Sequence, residues 1–144
     1  MISELGTDLL TKIKALPSGK LGTTPVRIGL AVGATSIDPF MEKVQLPAAW
    51  AVYVGDNLNT NDVQGNACGN TAVAQFVIKV FVEYISEKDL LDNQYPLLRE
   101  IAKQVNGQPG PKGAMKWKYE GQTLDEITGN RVVFDQRYSI VTIL

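Results

Sequence analysis

The sequence predicts an α/β domain of the α+β kind, in which a mixed, mainly antiparallel sheet packs with an N-terminal helix and a central amphipathic helix. Three observations predict it. Along Ala72 to Tyr84 the even positions Ala72, Ala74, Phe76, Ile78, Val80, Val82 and Tyr84 are apolar, and Gln75, Lys79 and Glu83 stand between them, the alternation of a half-buried strand. Leu90, Leu91, Leu97, Leu98, Ile101 and Val105 recur at three- and four-residue steps, which gathers them on one side of a helix. Ile2, Leu5, Leu9, Leu10, Ile13 and Leu16 form a second helical stripe at the start of the chain.

The first helix is expected over residues 2 to 15, ended by Pro17, Ser18 and Gly19. Its other face carries Glu4, Asp8, Lys12 and Lys14, so it should lie on the sheet. Burying its stripe at ~1.5–3 kcal/mol per side chain makes it a substantial part of the core. Val26 to Val32 reads as a strand weakened by Gly29 and Gly33, and Asp38-Pro39 as the cap and first position of a short turn. Leu46-Pro47 leads into Ala49 to Gly55, rich in β-branched and aromatic residues and expected to be a central strand. Asp56 to Thr71 is rich in Asn, Asp and Gly and reads as a long polar loop; a loop above about 12 residues in a compact domain is often functional.

Val77 and Phe81 interrupt the polar side of the long strand, which predicts that a helix such as residues 2 to 15, or another subunit, covers that side. Ser86 begins Ser-Glu-Lys-Asp, a helix start in which the hydroxyl accepts from a free first-turn amide and Glu87 and Asp89 face the positive helix end. Pro96 lacks an amide hydrogen and clashes with the carbonyl four residues back, so the helix must kink or restart there. Gly107 ends it in a left-handed conformation. After the turn-rich Gln108 to Gly113, the alternation of Met115, Trp117 and Tyr119 with Lys116, Lys118 and Glu120 predicts a half-buried strand up to Gly121, aromatic side inward. The chain is expected to finish in a long strand whose inner face runs Val132, Phe134, Gln136, Tyr138, Ile140, Thr142, Leu144, with Arg131, Asp135, Arg137 and Ser139 opposite.

With 144 residues, 44% of them apolar, the chain is one domain's worth over residues 1–144 and can bury about two thirds of its unfolded surface. Cys68 is the only cysteine, which fits a reducing compartment and requires no disulfide. Acidic residues in the first turns and the lack of an apolar run near the roughly 20 residues of a membrane span predict a soluble protein made in a cytoplasm. A net charge of −1 gives no basic footprint for gripping phosphate, which argues against sequence-specific nucleic-acid binding. Lys112, Lys116 and Lys118 cluster near a strand start and read as a solvated face.

The chemistry is limited by what is missing. The sequence has no His, which removes the usual general base, the Ser-His and Cys-His nucleophile pairs and the common zinc sites. Gly29 to Gly33 lacks the Gly-Lys-Ser/Thr ending of a phosphate loop. Asn57, Asn59 and Asn61 imitate calcium-loop spacing, but the first ligand is uncharged and the twelfth position is Cys68 in place of a bidentate Glu. No catalytic residue, cofactor or metal site is expected.

The order of parts nevertheless resembles a known family. An amphipathic first helix, the strand from Leu46-Pro47-Ala48 to Gly55, the long FVIKVFVEY strand, a Leu-rich helix, Trp117-Lys118-Tyr119-Glu120-Gly121 and the closing RVVFDQRYSIVTIL look like a phage tail terminator of the Mu-like family. The resemblance is one of arrangement and leaves out Ser18 to Val44 and the polar loop. It implies a non-enzymatic structural virion protein, a ring expected as a hexamer, that caps the head-proximal end of a tail tube in the virion. Such a ring stops tube and sheath growth and joins the tail to a neck or head-completion protein, while DNA passes through it unread. Under that reading Asn57, Asn59, Asn61 and Asp62 form a candidate contact arm, and Val77 and Phe81 a candidate subunit interface. The alternative is a small cytoplasmic enzyme or ligand-binding domain that uses the polar loop 56–71.

Overall fold

The structure is a computed structural model and describes residues 2–21, 28–32, 46–58, 71–111 and 114–143. Helix α1 spans Ile2–Lys14; strands β1, β2 and β3 span Ile28–Val32, Ala48–Leu58 and Thr71–Glu83. A helical segment follows, made of a short α2 (Glu87–Asp89), a π turn (Leu90–Gln94) and α3 (Tyr95–Val105). Strands β4 (Lys118–Thr128) and β5 (Arg131–Ile143) complete it. The strands form one five-stranded sheet in the order β1-β2-β3-β5-β4, with β1 parallel to β2 and the remaining pairs antiparallel. The fold is the mixed, mainly antiparallel α+β architecture that the periodicities predict.

Both helices cover the same side of the sheet. Leu5, Leu9 and Ile13 of α1 and Leu97, Leu98, Ile101 and Val105 of α3 pack in one cluster with Ala74, Phe76, Ile78, Val80 and Val82, the even residues of β3. Of the two covers expected for Val77 and Phe81, a helix such as residues 2 to 15 or another subunit, the first is corrected for α1, which lies on the other side. The even side of β3 is continuously apolar and removes more apolar surface from water when covered, so the helices go there. Trp117 closes the end of this core: it is buried, its ring meets Phe76 edge-on at 5.8 Å, and its indole Nε1–H donates to the Asp8 carboxylate at 2.7 Å. Lys12 also reaches Asp8, at 2.8 Å, so α1 is fixed to the sheet by a shared acceptor.

Pro96 is accommodated by a local widening of the helix. Ser86 caps the start, its hydroxyl accepting from the Asp89 amide at 3.1 Å. One turn on, the Tyr95 amide donates to the Leu90 carbonyl five residues back, and Pro96 then sits in the first turn of α3, where its missing N–H costs nothing. Gly107 takes φ +77 and its amide donates to the Trp117 carbonyl at 2.8 Å, turning the chain toward β4.

Two strands run further than expected. β2 does not stop at Gly55: the register shifts between Tyr53 and Gly55, and Gly55 at φ +139 adopts a conformation closed to most side chains, so the strand passes through a bulge and pairs on to Leu58. Asp56 and Asn57 thus belong to a strand and not to the loop. β4 continues beyond Gly121 to Thr128 and returns through the two-residue turn Gly129-Asn130, with Gly129 at φ +60, as β5. Met115 is 65% exposed, so the inward aromatic side begins at Trp117. The short turn expected at Asp38-Pro39 lies outside the described residues.

A buried polar contact organises the inner face of β5. The side chain of Gln136 is fully buried; its amide donates to the Leu98 carbonyl at 2.8 Å and to Gln122 Oε1 at 3.1 Å, and its own oxygen accepts from the Tyr138 hydroxyl at 2.9 Å. Each of these Gln136 and Tyr138 polar atoms has a partner, as low-dielectric burial demands, whereas the Thr142 hydroxyl oxygen further along the same strand is buried without one. Burial, and then the nearby Tyr119, keep the Tyr138 hydroxyl protonated well above the ordinary tyrosine range.

Candidate functional site

The side of the sheet away from α1 and α3 is where the described sequence-predicted site residues, Asn57, Val77 and Phe81, fall. Val73, Gln75, Val77, Lys79, Phe81 and Glu83 alternate along it on β3. It divides into two parts. At one end Phe81 lies with Ala48, Trp50, Val52 and Val133 in a small buried cluster, with Leu46 packed against it. Phe81 is 5% exposed, and the Arg131 guanidinium stands 5.8 Å above its ring. At the other end Val77 is half-buried and lines an open groove of about 450 Å³ with Val54, Val73, Gln75, Glu120, Arg137 and Ser139.

Register explains how these residues meet. Val77 stands opposite Arg137 of β5, Gln75 opposite Ser139, and Val73 opposite both Val141 of β5 and Asn57 of β2. Asn57 is exposed and on the same side as Val77, about 13 Å along the strands at roughly 3.3 Å per residue. The fold brings Asn57 and Val77 to one surface and places Phe81 inside the neighbouring cluster. Asn59, Asn61 and Asp62 lie outside the described residues, as do most positions of the polar loop 56–71.

Between the two parts stands a charge cluster that sequence reasoning missed. Lys79 Nζ donates to Asp135 at 2.9 Å and to Asp125 at 3.1 Å, across sequence separations of 56 and 46 residues. Asp125 reaches this side because β4 bulges between Leu124 and Glu126 and the extra residue is turned out of the regular alternation. Burial pulls the Lys79 pKa down, but hydrogen bonds to Asp135 and Asp125 and their charges outweigh it, and the net shift is upward. Nearby, the Ser139 hydroxyl donates to Glu120 at 2.6 Å and Arg137 donates to Thr123 at 3.2 Å. Alternation shows that Lys79 and Asp135 are outward residues; only the register, which no local pattern carries, makes them partners.

Chemically this surface offers fixed hydrogen-bonding groups beside apolar side chains, which suits docking against another surface. Among the described residues no group of three or more Cys, Asp or Glu is placed to hold a metal ion. No described helix is long and apolar enough to cross a membrane.

Neither a family model nor a curated protein sequence matches the chain. Its fold is similar to that of a chain in a solved structure described as the virion of a native gene transfer agent (GTA) particle. The TM-score is 0.63 at 10% identity, covering 99% of this chain and 97% of that one. At that identity the likeness is one of fold, and it extends from end to end of both chains.

Proposed function

We propose that the chain is a structural virion protein, and within that class a tail terminator: a ring, expected as a hexamer, on the head-proximal end of a phage tail tube. The ring ends polymerisation of tube and sheath and presents its other face to a neck or head-completion protein, and DNA passes through without being read. The observation that carries the reading is the end-to-end agreement of fold with a virion chain of a gene transfer agent particle. The order of sequence elements supports the finer assignment, and the face of the sheet away from α1 and α3 supplies docking chemistry beside Val77 and Asn57.

Electron microscopy of the purified protein, alone and mixed with tail tubes, tests this. Rings of one diameter seated at a single tube end, with tube length fixed after their addition, are the expected result. A monomer that leaves tubes growing and never co-purifies with tail particles would sink the proposal.

A further inference from the structure

We propose that neighbouring copies join through the β4–β5 hairpin, whose acidic tip on one copy seats in a basic, apolar-walled groove beside Lys116 and Lys118 of the next. The inference rests on the ring reading above and names the contact that would build the ring.

The tip is unusual in what it leaves in solvent. Residues 122–130 are exposed throughout, and Leu124 and Ile127 are 53% and 55% exposed although they continue the helix-side face of the sheet, opposite Phe134 and Val132. Glu126 stands opposite Val133, on the other side of the same edge strand, and forms no ion pair among the described residues, while the adjacent Asp125 is engaged by Lys79. An edge strand that exposes an apolar pair on one side and an unneutralised acid on the other is poorly explained as solvated surface alone.

Near the other end of β4 is a surface of opposite character. A groove of about 410 Å³ runs between Pro109, Ala114, Met115 and Val141, edged by Lys116 and Lys118. Met115 is largely exposed in it; the Lys116 ammonium has no carboxylate partner among the described residues, and Lys118 comes only within 3.8 Å of Glu120. Apolar walls with cations answer apolar side chains with an acid.

The two patches cannot satisfy each other in one molecule. Lys118 and Glu126 are at opposite ends of the same strand, roughly 25 Å apart at about 3.3 Å per residue. A contact between them joins two copies through different surfaces, and a contact of that kind, repeated, closes into a ring or runs on as a filament. Symmetric edge-to-edge pairing of two β4 strands is disfavoured because bulges between Tyr119 and Gly121 and between Leu124 and Glu126 break the regular row of backbone groups. A net charge of −1 adds little general repulsion between copies.

The test is charge reversal in the full chain, read by sedimentation velocity and mass photometry over a range of salt. K116E/K118E and E126K should each raise the apparent dissociation constant of self-association at least about tenfold, a loss that salt does not deepen. Mixing the two variants, or combining all three changes in one chain, should restore it. Unchanged melting temperatures establish that the variants are folded, since all three positions are exposed. Wild-type affinity in both variants, failure of the combination to restore assembly, or assembly that halts at two copies would each overturn the interface. In those cases rings seen on tube ends would leave the terminator reading standing, whereas a wild-type protein that is monomeric and caps no tubes removes that reading itself.

Discussion

One sheet carries two kinds of surface. On the helix side the even residues of β3 and the inner residues of β5 interlock with α1 and α3, and the polar atoms of Gln136 and Tyr138 are matched one to one. On the opposite side the same strands hold a small apolar cluster at one end, a bridged lysine in the middle and an open groove at the other end. The difference teaches where stability ends and recognition begins. Close packing leaves no freedom to the first face, whereas the second keeps groups that are ordered but incompletely covered.

Substitutions on the two faces should therefore separate folding from assembly. The largest effect is expected for Trp117→Ala, which empties a buried indole site and leaves Asp8 with Lys12 as its remaining side-chain donor; a loss of about 3–5 kcal/mol in urea unfolding would fit, and less than about 1 kcal/mol would show that the core end is not closed by this residue. Gln136→Ala should follow at about 2–3 kcal/mol, because the Leu98 carbonyl then loses its side-chain donor and the Tyr138 hydroxyl lies buried without an acceptor. A cost near zero would mean that water replaces the amide.

Smaller effects belong to the open face and its charges. Lys79→Met should cost about 1 kcal/mol at low salt and less at high salt, since Asp125 is substantially exposed; a double-mutant cycle with Asp135→Asn isolates the pair. Alkaline titration tests both faces at once. The folded-state pKa values of Tyr138 and Lys79 lie above their unfolded values, so their contribution is complete below about pH 10 and is lost as pH rises beyond it. Stability that declines there in the wild type and declines less steeply in Tyr138→Phe is the expected pattern. Val77→Ser should change stability by no more than about 0.5 kcal/mol yet weaken capping of tail tubes; equal loss of both would assign Val77 to the core.

Much of this architecture was legible because its signals are local. The Ser86 cap, the break demanded by Pro96, the Gly107 stop and the inner face of β5 through Gln136 and Thr142 all follow from side-chain chemistry within a few positions. The π turn was not, since a proline requires some accommodation without specifying which. Gly55 was read as an ending because glycine ends strands as often as it bulges them, and here the pairing with β3 decides. The outer half of β4 has no alternation to read, as both its sides meet solvent, yet Gly129-Asn130 is a two-residue hairpin signal that marks it. The open face was the least legible part: Lys79, Asp125 and Asp135 come from three strands, and Glu120 meets Ser139 only through register.

Gln136 carries a consequence beyond its own contacts. If β5 slid by one position against its neighbours, the site beneath Leu98 would receive Asp135 or Arg137, an unpaired charge in an apolar layer, and Gln136 would turn outward. The amide therefore works as an alignment pin that makes every neighbouring threading of the strand unaffordable. Any partner that recognises Arg137, Ser139 and the hairpin tip consequently reads a spacing set from the opposite side of the sheet.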